Sequence, residues 1–170
     1  MSTRGIVWIH SSPSALRSHV EWALGGVLGV PTHLEWSPQP VERGSYRAEF
    51  SWSHHPGTAA AIASAFQKWG RMRFEVTEEP SSGHDGQRYS YTPALGIFQA
   101  GIGVHGDLLI NETRLQNALL QGPEGLDERL ADLLGAPWDE ELEAFRHAGD
   151  STSVRWLHQV CLLRSWRAGW

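Results

Sequence analysis

The stretch from Tyr46 to Trp52 constrains the fold more than any other. Tyr46, Ala48, Phe50 and Trp52 alternate strictly with Arg47, Glu49 and Ser51, and a period of two belongs to a strand with one apolar face. Two further segments carry strand signals. Gly5-Ile6-Val7-Trp8-Ile9-His10 is a short apolar run that reads as a buried strand, and Met72, Phe74 and Val76 alternate with Arg73, Glu75 and Thr77. Between them the period becomes helical. Ser12 and Pro13 offer a cap and a first helical position, after which Leu16, Val20, Ala23, Leu24 and Val27 recur on one face until Gly25-Gly26 and Gly29 end the helix. His54-His55-Pro56-Gly57-Thr58 turns into an alanine-rich helix with Ile62, Phe66 and Trp69 inward, stopped by Gly70.

With Thr32 to Trp36 read as a short alternating strand, the order to Pro80 is βαββαβ. That is the ferredoxin-like pattern, an antiparallel sheet with two helices on one face. The predicted fold class is therefore α+β. A ferredoxin-like half over residues 1–80 packs against a second, mixed α/β half, with the polar segment 81–87 as a hinge. In residues 88–163, Arg88 to Thr92 and Gly96 to Ile102 read as strands, and His105-Gly106-Asp107 turns into Leu108-Leu109-Ile110 as a hairpin. Asn111 caps a helix carrying Leu115, Ala118 and Leu119. Leu126, Leu130, Leu133 and Leu134 mark a second helix. Pro137 and the acids that follow it start a third, carrying Trp138, Leu142 and Phe145. Val154 to Leu163 reads as a final strand, and residues 164–170 form an arginine- and tryptophan-rich tail.

Composition narrows the chemistry. The 170 residues carry a net charge of -5, with 41% hydrophobic and 19% charged residues, the composition of an ordinary globular protein. Cys161 is the single cysteine, which rules out a disulfide or zinc scaffold. An acidic balance speaks against nucleic acid as a partner, and the apolar opening is too short for a signal peptide or a membrane span. Lys68 is the only lysine, placed on the polar side of a helix, where neither a phosphate loop nor a Schiff base would have it. Gly101-Ile102-Gly103-Val104-His105-Gly106 fits G-x-G-x-x-G, but a strand follows it where a dinucleotide site needs a helix. His19 and Glu21 are two positions apart and share no helix face, so no metal site is assigned.

Three constellations remain. In the predicted sheet the first strand runs opposite to the third and fourth, so His54, His55, Glu78 and Glu79 gather at one edge, where a histidine beside carboxylates could act as acid or base. His10, Ser11 and Ser12 lie at the opposite edge, where a helix start and hydroxyls would hold an anion. The sheet face away from the helices should carry His33, Glu35, Arg47, Glu49, Arg73 and Glu75. If the second half covers that face, a cleft lined by Arg and Glu side chains results, with Arg47 and Arg73 as ligand-binding candidates alongside His10, Ser11 and Ser12. No catalytic residue and no cofactor is assigned. Residues 127–143 are rich in acids, and the tail displays Trp166 and Trp170. Both are candidate surfaces for a protein partner or a second copy.

Several blocks in order carry a family likeness: Arg4 through Pro13, His19 to Leu24, Phe74 through Pro80, Arg88 to Pro93, Leu95 to Phe98, Trp138 through Glu143 with Phe145-Arg146, and Arg155 to Val160. With these the chain resembles the actinobacterial domain-of-unknown-function family 3145. The resemblance covers nearly the whole chain up to Cys161 and implies a cytoplasmic actinobacterial protein. It brings no catalytic residue. The expected function is a non-enzymatic ligand-binding or protein-interaction module. The rival is a small cofactor-independent hydrolase or isomerase using His54 or His55 with Glu78 or Glu79.

Overall fold

A computed structural model describes residues 2–148; the strand expected over Val154 to Leu163 and the tail with Trp166 and Trp170 lie outside the described residues. Seven strands form one antiparallel sheet in the order β2-β3-β1-β4-β5-β6-β7. They are β1 (Thr3–Pro13), β2 (Ser37–Pro38), β3 (Ser45–His54), β4 (Arg73–Glu78), β5 (Gly86–Thr92), β6 (Gly96–Ile102) and β7 (Leu108–Leu109). The helices are α1 (Arg17–Leu28), α2 (Thr58–Gln67), α3 (Glu112–Leu120), α4 (Leu126–Leu133) and α5 (Ala136–Arg146). The class is α+β, and β1 runs antiparallel to both β3 and β4.

The main core lies between the sheet and α1 with α2. Val7, Ile9, Phe74, Val76, Tyr89 and Tyr91 from the strands meet Val20, Leu24, Ile62 and Phe66 from the helices. Phe66 packs edge-on against Phe74, whose other face stacks on Tyr91 at 5.2 Å between centroids. Gly5 is there because Trp52 needs its space: a Cβ would lie 2.0 Å from Thr77 O and 2.3 Å from the Trp52 ring.

Residues 88 onward do not form a separate layer. They extend the same sheet, because β5 pairs with the free edge of β4 from Glu78↔Gln87 to Phe74↔Tyr91 and satisfies its backbone groups. The segment expected as a hinge is the turn of that hairpin. Ser81 and His84 exchange backbone hydrogen bonds of 2.9 Å each way, and Gly86 and Gln87 already belong to β5. The second face of the sheet is covered by α5, which packs across β1 and β5. Trp138 lies 5.3 Å from the Phe98 ring and donates to Gly96 O at 2.9 Å. The strand β4 is consequently buried on both faces from Phe74 to Glu78.

Two local expectations are corrected. The first helix does not start at Pro13 under a Ser12 cap. Ser11, Ser12 and Pro13 still pair with β3 and β4, so β1 runs on to Pro13, and one 3₁₀ turn precedes α1. Thr32 to Trp36 is not a strand. The Glu21 carboxylate accepts from Leu34 N at 2.9 Å and Trp36 Nε1 at 3.0 Å, which ties this segment to α1 and leaves only Ser37–Pro38 to pair with β3. His33 goes with it, 91% exposed beside Glu21 rather than on the sheet. The G-x-G-x-x-G stretch ends in the β6–β7 turn, closed by Gly103 N to Asp107 O at 2.8 Å, and Asn111 caps α3 through the amides of Thr113 and Arg114.

Candidate functional site

One irregularity in β1 builds the site. The register steps from Ile9↔Ala48 to Ser12↔Tyr46 on one side and from Ile9↔Phe74 to Ser11↔Arg73 on the other. Two residues, His10 and Ser11, therefore oppose the single Arg47 of β3. This is a β-bulge, and bulges re-aim side chains. Both His10 and Ser11 are delivered to the α5 side of the sheet.

Below α5, five side chains from three elements close around Glu75, itself 1% exposed. His10 Nε2 lies 2.7 Å from Glu75 Oε2, and Arg146 Nε donates to the same oxygen at 2.9 Å. Glu75 Oε1 accepts from Arg146 Nη2 at 2.5 Å, Arg88 Nη2 at 3.1 Å and Ser90 Oγ at 3.2 Å. Asp139 Oδ1, on the first turn of α5, bridges the two guanidinium groups at 2.6 and 2.7 Å. Two carboxylates and two arginines thus compensate one another in a buried network that staples α5 to β4 and β5.

The electrostatics follow from this arrangement. Burial by itself would raise the Glu75 carboxyl, but the Arg146 charge, the His10 hydrogen bond and the Arg88 charge outweigh it and hold the group well below the usual carboxylate range. Arg146 is pushed the opposite way: burial opposes its charge, and Glu75 with Asp139 raises its value all the same. Because ionised Glu75 only accepts, the nitrogen of His10 that faces it carries the proton. The other nitrogen, Nδ1, has no hydrogen-bond partner among the described residues. Arg146 Nη1 has none either. Buried Arg88 leaves Nε and Nη1 without a partner among the described residues.

Both His10 and Arg146 line a cleft of about 230 Å³ between the sheet and the end of α5. Trp8 and Phe145 add aromatic walls, Arg47 one side, and the exposed Glu35 and Glu49 the mouth. Next to it Arg73 donates to Ser11 Oγ and Glu42 Oε1 at 3.3 Å each and to Glu141 Oε1 at 3.3 Å, with its guanidinium 4.5 Å over the Phe145 ring. Burial would raise Glu42, but hydrogen bonds from Ser45 and Ser11 and the Arg73 charge lower it. Arg47 donates to Ser37 Oγ and to Ala148 O, and Gln39 Nε2 donates to His10 O at 2.7 Å.

Of the ligand-binding candidates, His10 and Arg47 line the cleft. Ser11 and Arg73 lie beside it as mutual partners. Ser12 is fully buried and its hydroxyl donates to Pro13 O. The other edge does not converge. Glu78 is spent on the start of α2, accepting from Gly57 N and Ala59 N at 2.9 Å each, while Glu79 points outward to Arg4 at 3.2 Å. His54 bonds Thr58 Oγ1 at 3.0 Å, and His55 bonds Pro56 O. Among the described residues no group of three His, Cys, Asp or Glu side chains could hold a metal ion, and no helix is long and apolar enough to cross a membrane.

Sequence reasoning did not bring Arg88, Ser90, Asp139 and Arg146 into the site. A signal existed. Arg88 and Ser90 sit in a strand otherwise closed by aromatics, and a buried arginine in a strand calls for an acid on the next one. Asp139 and Arg146, seven residues apart, share one face of α5.

The fold and site together define an α+β protein with one antiparallel sheet, a buried ion network under α5 and a small charged cleft beside it. The sequence profile of DUF3145, described as a protein of unknown function, matches residues 6–159. The chain belongs to that family, and the match stops short of Cys161. No curated protein and no solved structure matches the chain.

Proposed function

We propose that this protein is a binding module whose ligand site is the cleft formed by β1, β3 and the end of α5, and that it performs no chemistry on what it binds. The observation that carries this reading is the rigid cleft floor. His10 and Arg146 are each fixed through one side of the ring or guanidinium by Glu75, and each presents its remaining nitrogen without a partner among the described residues. Preorganised polar groups in a mostly formed concavity are what ligand sites consist of. The nucleophile and base that an enzyme needs in hydrogen-bond reach are missing from this reading. The hydrolase or isomerase alternative at His54, His55, Glu78 and Glu79 is weakened because Glu78 already serves α2. We further propose that residues 1–80 are a ferredoxin-like half, supported by the order β2-β3-β1-β4 with α1 and α2 on one face, and that the protein works in the cytoplasm.

A metabolite panel screened by thermal shift tests the function. The reading expects compounds that raise the melting temperature of the native chain and lose that effect in Ser37→Trp, which fills the cleft from an exposed strand. Panel compounds that are converted rather than bound, or a panel without any Ser37→Trp-sensitive hit, would refute it.

A further inference from the structure

Resting on that reading, we infer that the ligand is a small zwitterion, a molecule with one carboxylate and one ammonium group such as a free amino acid. The charges of the cleft are separated. Its inner wall offers the Arg146 Nη1 donor, on a side chain 10% exposed, and the bare His10 Nδ1 as an acceptor, with the Arg47 guanidinium on one side. Its mouth carries Glu35 and Glu49, both exposed and neither in an ion pair among the described residues. Glu49 stands opposite Trp8 in the β1–β3 register, so the acid and the indole share the same side of the cleft.

A plain anion would meet Arg47 and Arg146 but also the two carboxylates at the mouth. A plain cation would satisfy the mouth and leave Arg146 Nη1 without an acceptor among the described residues. A dipolar molecule answers both, with its carboxylate on Arg146 and its ammonium between Glu35 and Glu49. Charge-assisted contacts of this kind are stronger than neutral ones, and they tell a zwitterion from either ion alone. Size agrees. A cleft of about 230 Å³ has room for a small amino acid. The half-buried Phe145 ring leaves an apolar surface for a short side chain.

The test is calorimetric titration of the full chain with each of the twenty standard amino acids, and then, for any binder, with its methyl ester, its N-acetyl form, acetate and methylammonium. The inference expects at least one small amino acid to bind, and each blocked form to bind at least tenfold more weakly. In the Glu35→Gln/Glu49→Gln variant, affinity for the amino acid should fall to that of acetate, and acetate binding should stay constant or tighten. Both positions are exposed, so the variant should fold as the parent does. Equal affinity for acetate and the amino acid, unchanged in the variant, overturns the zwitterion and leaves a simple anion site. Silence from all twenty also overturns it, while the binding function itself falls only if the metabolite panel gives no Ser37→Trp-sensitive hit.

Discussion

Replacing Glu75 by glutamine removes one charge from the centre of the network and leaves the rest of the side chain in place. The structure sets the size of the effect. Glu75 accepts from four side chains, His10, Ser90, Arg88 and Arg146, whereas the amide has one acceptor oxygen and turns an NH₂ toward groups that donate. Arg88 and Arg146 would then share the single carboxylate of Asp139. Removing one member of a buried, hydrogen-bonded charge group costs about 3–5 kcal/mol. For a chain of this length that lowers the melting temperature by roughly 6–20 °C. Urea unfolding at pH 7, followed by far-ultraviolet circular dichroism, gives the free energy. Repeating it for Arg146→Met and for the double variant gives the coupling. The double variant should be milder than the sum of the single changes, because only Arg88 is then left beside the amide and Asp139 still answers it. The pH dependence has a definite sign. The Glu75 carboxyl sits below its ordinary value of 4.5 in the folded chain, so its contribution is fully present above that value and fades as the pH falls beneath it toward the folded-state value. The parent should lose stability over that acidic window, and Glu75→Gln should lose less. A loss below about 1 kcal/mol at pH 7, together with an unchanged acid profile, would refute the argument that this network is buried and compensated.

Gly5→Ala should cost about 1–3 kcal/mol by overpacking, since the new methyl meets Thr77 O and the Trp52 ring; urea midpoints check it, and a change within about 0.5 kcal/mol, the range of an ordinary surface substitution, would contradict it. Glu78→Ala should cost about 1–2 kcal/mol and speed hydrogen exchange at the Gly57 and Ala59 amides, while amides in the middle of α2 change little; uniform acceleration would count against a local capping role. Nitrogen-detected NMR of the histidine rings should find a proton on His10 Nε2 in the free protein at neutral pH, and a bare Nε2 would break the donor assignment to Glu75. His10→Gln, which keeps a donor, should be milder than His10→Leu in thermal unfolding, and the reverse order would mean that ring packing outweighs the hydrogen bond.

The strands that carry their own period were legible. Tyr46 to Trp52 and Phe74 to Val76 alternate because one face must be apolar, and a face is a local property of the chain. The neighbours of Glu75 were not legible for the same reason. Alternation places Glu75 away from the helical core and says nothing about whether a later helix covers that side, so a residue that looks solvated is 1% exposed. The cleft between Arg and Glu side chains was within reach, because it needs only that some later element cover the face. Which side chains would meet there depends on the bulge at His10 and Ser11, and an extra residue in a strand leaves no mark in hydrophobicity. Thr32 to Trp36 shows the converse failure: its alternation is real, but the Glu21 carboxylate, thirteen and fifteen positions earlier, claims its donors.

The two-residue ribbons at the margins of the sheet have a consequence for how copies of this protein tolerate crowding. At one margin Pro38 has no amide hydrogen to offer an incoming chain, though β2 pairs only with Tyr46 and Arg47 of β3. At the other margin Leu108 and Leu109 keep theirs, and Leu109 stands 42% exposed. On that flank a single proline or charge placed at Leu109 is the smallest change that would block edgewise stacking of concentrated protein.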